Sequence, residues 1–219
     1  MIPLRDLNPR RRFPVATVVL ILLNVLVFLY ELILPPDGLD AMVHTWGLVP
    51  SRLMALELGG FVRLFSSMFV HSGFMHLGGN MLYLWIFGDN IEGALGSVRF
   101  VFFYLLCGLG AAMAQVLVGP FSDLPMVGAS GAISGVLGAY LLLFPRVSVE
   151  SLLLVGYFVR RIRVPAVVVL GLWIVTQLFS GVMSLGMEAT GGVAFFAHIG
   201  GFASGLVLVN VFKRERWYE

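Results

Sequence analysis

Six stretches of this chain contain no Asp, Glu, Lys or Arg: residues 13–30, 64–88, 100–122, 124–145, 164–187 and 189–212. As helices, rising about 1.5 Å per residue, each is long enough to cross, or nearly cross, a hydrocarbon core about 30 Å thick. Backbone in lipid has to satisfy its own hydrogen bonds, and none of the runs alternates polar and apolar residues as barrel strands do, so helices are the expected spans. The expected fold class is all-α, a polytopic membrane protein of six transmembrane helices. Composition agrees: 59% of the 219 residues are hydrophobic and 12% charged, against roughly a quarter charged in soluble domains. The mean hydropathy is +0.95.

Charge sets the expected orientation. With six spans, the segments 1–12, 89–99, 146–163 and 213–219 fall on one side, and they hold every basic residue except Arg52 and Arg63. By the positive-inside rule both termini are cytoplasmic, N-in and C-in. The expected organisation is a basic cytoplasmic tail (1–12), a six-helix membrane domain (13–212) whose first loop (35–63) lies on the bilayer interface, and a basic cytoplasmic C-terminus (213–219). The formal net charge of +2 then reports topology and not nucleic-acid binding, because the basic residues sit at span ends and form no single patch. The first run follows basic residues as a secretory signal would, but no small-residue cleavage site follows it, so it reads as a retained span. Cys107 is the only cysteine, which excludes an internal disulfide and a cysteine-based metal site.

Polar groups inside such runs are costly and mark function. Gly128-Ala129-Ser130-Gly131 follows a loop broken by Pro120 and Pro125 and opens an apolar stretch. A serine there is most often an ordinary helix N-cap, yet it also stands where unpaired N–H groups and the positive dipole end converge. Ser130 is about 21 Å of helix from Phe144, and His198 is as far from Phe212, so the two lie level and below the outer surface. Gly131, Gly135 and Ala139 on one span, and Ala197, Gly201 and Gly205 on the other, repeat every fourth position, a spacing that lets two helical backbones approach. Packed so, the Ser130 hydroxyl comes within reach of the His198 ring, a nucleophile beside a base. His76 and Asn80, four apart, share one face of the second span, either as interhelical hydrogen bonders or as donors to an oxyanion. His71, His76 and His198 could in principle ligate zinc, but the HExxH pattern and a nearby carboxylate are missing. Gly181, Gly186, Gly191 and Gly192 between the last two spans suggest a mobile cap and lateral gate, or are ordinary loop residues.

Together, Gly128-Ala129-Ser130-Gly131, the run Ala197-His198-Ile199-Gly200-Gly201 with Gly205, and His71, His76 and Asn80 resemble the rhomboid intramembrane serine proteases, over essentially the whole chain from Phe13 to Phe212. The resemblance implies a Ser/His dyad with no third acidic member: Ser130 as nucleophile and His198 as general base, then acid. It also implies an oxyanion hole of His76, Asn80 and the Ser130 amide, no cofactor, no metal, and transmembrane proteins as substrates within membrane lipid. The chain is then a multi-pass protein of a bacterial cytoplasmic (inner) membrane, cleaving single-span proteins near the outer face. Many members place an aromatic residue four positions after the serine, where this chain has Ser134, so the orientation of His198 is expected to be looser or to be supplied by another ring such as Phe195. Two other classes compete. An inactive helix-binding relative would normally lack Ser130 or His198, and a small transporter would need midplane charges and internal repeats.

Overall fold

The computed structural model describes residues 1–9, 12–156, 158–185 and 193–213. Gly186, Gly191 and Gly192, and Arg10, Arg11, Arg214 and Arg216, lie outside the described residues. In chain order the elements are β1 (Ile2–Asp6), α1 (Val15–Ile33), α2 (Pro36–Trp46), α3 (Pro50–Met54), α4 (Gly60–Ser66), α5 (Phe74–Leu95), α6 (Ser97–Val118), α7 (Ser130–Leu143), β2 (Ser148–Val155), β3 (Phe158–Pro165), α8 (Ala166–Ser184) and α9 (Phe195–Phe212). α1, α6, α8 and α9 are long and apolar enough to cross a membrane, and α7 is a shorter apolar helix. The chain is an integral membrane protein. α5 is as long as α6, at 22 residues each, but it carries His76, Asn80, Asp89, Asn90 and Glu92 and is not among those four.

The apolar faces of α1, α6, α8 and α9 look outward. Leu22, Leu26, Phe102, Leu172, Phe179 and Val207 are all exposed, as residues solvated by lipid tails would be. α7 is the opposite case. Its residues from Ala132 to Tyr140 are all buried, the pattern of a helix surrounded by others. At 14 residues it is about 21 Å long, so its serine end lies well short of what a full crossing needs.

The all-α expectation is corrected by a three-stranded antiparallel sheet in the order β1-β2-β3. The segment 146–163 holds β2 and most of β3. Its residues alternate apolar and polar at Val147-Ser148-Val149-Glu150 and at Arg161-Ile162-Arg163, around the apolar run 152–155, and a hairpin turns at Gly156, whose φ of +57° suits glycine. One row of the sheet pairs Arg5, Glu150 and Arg163 across the three strands. Arg5 Nε and Arg163 Nε donate to the two Glu150 carboxylate oxygens, at 2.7 and 3.1 Å. These hydrogen bonds, with Arg5 first, hold the Glu150 carboxyl below the usual carboxylate range. Val149 and Ser151, on the opposite face of β2, are fully buried. The tail 1–12 thus contributes an edge strand.

The expected second span, 64–88, is also shifted. Residues Gly60–Ser66 form the separate helix α4, and α5 begins only after Gly73, whose φ of +152° breaks the path. At its other end α5 runs on through charged residues because they find partners. The Glu92 carboxylate accepts from the Ala16 and Thr17 amides at 2.9 and 2.8 Å, from the Thr17 hydroxyl at 2.8 Å and from the Ser97 hydroxyl at 2.6 Å. A carboxylate on the orphan N–H groups opening α1 is favourable in both hydrogen bonding and dipole terms. The first loop holds α2, α3 and α4, and Arg63 ties α4 back to α2 by donating to the Thr45 carbonyl at 3.0 Å.

Candidate active site

Glycine makes the site possible by letting α6, α7 and α9 touch along their backbones. A Cβ on Gly201 would land on the Gly131 carbonyl, one on Gly205 on the backbone of Gly135, and one on Gly138 on the Phe202 carbonyl. Gly131 and Gly135 face the Ala111 and Cys107 side chains of α6 in the same way. These are the small residues whose spacing suggests close approach, and α7 and α9 meet on them.

The contact brings Ser130 and His198 together. Ser130 begins α7 and His198 lies in the first turn of α9. The Ser130 hydroxyl donates to His198 Nε2 across 2.8 Å, with both side chains part-buried. On the far side of the imidazole, Nδ1–H donates to Gln177 Oε1 of α8, also at 2.8 Å. The ring against His198 is that of Trp173, one turn earlier on α8, with centroids 5.8 Å apart and planes tilted by 39°. Trp173 therefore stands where a ring such as Phe195 was expected. Ser134 is buried, and its hydroxyl donates to the Ser130 carbonyl at 2.6 Å. The backbone of α9 is tied to α6 at the same level, where the Ala197 amide donates to Gln115 Oε1 at 3.2 Å.

His76 and Asn80 approach from α5. Gly128, with a φ of +115°, presents its backbone directly to the His76 ring, and a Cβ there would meet His76 Nε2 and lie 3.6 Å from Asn80 Nδ2. Only glycine fits that conformation and that gap. His76 Nδ1 accepts from the Ser72 amide at 3.4 Å and the Ser72 hydroxyl at 3.0 Å. That leaves Nε2 of the neutral ring carrying the proton on the Gly128 side. Asn80 Nδ2 is buried and has no hydrogen-bond partner among the described residues. His71 contacts α1 and the His76 ring. Its amide donates to Glu31 Oε1 of α1 at 3.1 Å and its ring packs edge-on against His76, centroids 5.0 Å apart.

Of the residues singled out in the sequence, Ser130, His198, Gly128, Gly131, Gly201 and Gly205 meet at one junction, with His76 and Asn80 beside it. Gln177 and Trp173 were missed. The signal was present, since Gln177 is a polar amide in the charge-free run 164–187.

The fold and this junction define a polytopic helical membrane protein with a Ser–His pair set below one end of its helices. The rhomboid domain family matches residues 58–215, and the chain belongs to the rhomboid family. It is 34% identical over 146 residues to RHOMBOID-like protein 4 of Arabidopsis thaliana, covering 67% of this chain and 32% of that protein. RHOMBOID-like protein 5 of the same plant is 33% identical over 162 residues, 74% of this chain and 47% of the relative. Rhomboid protease GluP of Bacillus subtilis (strain 168) is 41% identical over 83 residues, 38% of this chain and 16% of that protein. The chain therefore matches between about a third and a half of the length of the two plant relatives.

Proposed function

We propose that this chain is an intramembrane serine endopeptidase that cleaves single-span membrane proteins near the outer face of the bilayer. The observation that carries the reading is the 2.8 Å hydrogen bond from the Ser130 hydroxyl to His198 Nε2, made at a helix N-terminus inside an apolar bundle. α1, α5, α6, α7, α8 and α9 are the six spans, with both termini cytoplasmic and the β-sheet on the cytoplasmic side. The membrane is a bacterial cytoplasmic membrane, and the first loop rests on its outer interface.

The reaction is acyl transfer. His198 Nε2 takes the hydroxyl proton as Ser130 Oγ attacks a peptide carbonyl, and the new C–O bond pushes the carbonyl electrons onto oxygen. That oxyanion is met by the Ser130 amide, the Asn80 Nδ2 amide and the His76 Nε2–H, donors fixed before the charge develops. The C–N bond then breaks, His198 gives its proton to the leaving amine, and a water activated by the same imidazole hydrolyses the acyl-enzyme. A transmembrane helix must unwind to expose its carbonyl, so segments with helix-weakening residues near the outer face are the preferred substrates.

The test is cleavage of tagged single-span proteins by the purified chain in detergent. Wild type cleaves, Ser130→Ala and His198→Ala do not, and a strong chelator has no effect. A serine-directed phosphonate labels Ser130. Cleavage by Ser130→Ala near the wild-type rate, or labelling at another serine, would overturn the assignment.

A further inference from the structure

A serine–histidine pair works only in one tautomer. The imidazole must carry its proton on Nδ1, so that the Nε2 lone pair faces the serine hydroxyl. A glutamine can favour either tautomer, depending on which end of its amide meets Nδ1. Here the choice is fixed within one turn of α8. The Thr176 hydroxyl spends its proton on the Trp173 carbonyl at 2.6 Å, leaving its lone pairs to accept from Gln177 Nε2 at 3.4 Å. The amide is thereby turned with its oxygen toward His198, where Oε1 accepts the Nδ1 proton at 2.8 Å. Every donor along the line, from Ser130 to His198 to Gln177 to Thr176 to Trp173, points the same way.

We propose that Gln177 is the positioning residue of the Ser130–His198 pair, a neutral third member that fixes the imidazole's tautomer and angle from α8. This rests on the serine protease reading. It also explains how the pair is held although Ser134 stands four residues after the nucleophile and is turned back onto the Ser130 carbonyl. α7, α8 and α9 carry no Asp, Glu, Lys or Arg, and α6 has only Arg99, near its far end. Among the described residues, His76 of α5 is the titratable side chain that also acts on the imidazole. An amide in this position steadies the imidazolium of the reaction by its dipole alone, whereas a carboxylate would do so by charge.

That difference is measurable. Gln177→Leu keeps the side-chain bulk and removes the acceptor, and it lowers kcat on the order of ten- to a hundredfold with KM little changed, because it mispositions a group that acts in the transition state. Gln177→Glu restores the acceptor. Its kcat recovers at alkaline pH, and the acid limb of its pH–rate profile moves up by about one unit or more, since a neighbouring anion favours the protonated imidazole. Phosphonate labelling of Ser130 slows in Gln177→Leu by a similar factor. A merely structural role would shift neither the limb nor the kcat-to-KM split in this pattern. The proposal is overturned if Gln177→Leu cleaves and labels like wild type, if its loss is confined to KM, or if the Gln177→Glu limb stays in place. In each of those cases Ser130 labelling in wild type leaves the protease reading standing. Cleavage by Ser130→Ala removes that reading and the Gln177 role with it.

Discussion

Asn80 illustrates what a single residue contributes. A buried amide nitrogen without a partner costs about 1–3 kcal/mol, and this one faces the loop that leads into Ser130. The arrangement makes sense if the missing acceptor is the oxyanion of a reacting carbonyl. Asn80→Ala then lowers kcat on the order of a hundredfold and leaves KM nearly unchanged. Steady-state kinetics on one tagged substrate decide the matter, since a raised KM at constant kcat makes Asn80 a substrate-binding residue instead. Ser130, His198, His76 and Asn80 could be picked out of the sequence because each interrupts a charge-free run. Gln177 interrupts one as well, but its spacing matches no partner, and the helix face it occupies is set by the packing of α8 on α9, which no local pattern encodes.

Helix packing was legible wherever glycines repeat. The four-residue spacing on α7 and α9 predicted close approach, and Gly131, Gly135, Gly201 and Gly205 lie at that contact. Helix boundaries were less legible, because a charge-free run does not reveal Gly73 as a break or Glu92 as the cap of another helix. Position 201 tests the contact. Any Cβ there falls on the Gly131 carbonyl, a backbone atom that cannot swing aside. Gly201→Ala consequently forces α9 away from α7, and Gly201→Val forces it further, although neither touches a reacting group. A displacement of about 1 Å costs on the order of a hundredfold in rate. Gly171→Ala on α8, where a Cβ meets nothing within 4 Å, provides the control. Cleavage assays on the three variants should rank Gly171→Ala with wild type and Gly201→Val last. Wild-type activity in Gly201→Val would remove the α7–α9 contact as the basis of the site.

At the scale of the whole molecule, the sheet joins the tail of the chain to its innermost helix. Sequence windows tuned to twenty apolar residues pass over five- and eight-residue strands, so 1–12 and 146–163 looked like solvated basic segments. Asp6, at the end of β1, accepts from the Tyr140 hydroxyl of α7 at 2.6 Å and from Asn90 Nδ2 of α5 at 2.7 Å. Tyr140 is fully buried, with its ring edge-on to Phe87, centroids 4.9 Å apart. Asn90 Nδ2 keeps a second acceptor in Asp89 Oδ1 at 2.8 Å. Removing the Asp6 carboxylate strands the Tyr140 hydroxyl at the foot of the helix that carries Ser130. Asp6→Ala should destabilise the fold by about 1–3 kcal/mol, the cost of a buried unsatisfied hydroxyl. In Tyr140→Phe that hydroxyl is gone from the start, so adding Asp6→Ala costs less than it does in wild type. Thermal unfolding of the two single variants and the double variant in detergent measures the difference. Strictly additive losses would show that Asp6 and Tyr140 act independently, and that the strand contributes to the bundle by some route other than this hydrogen bond.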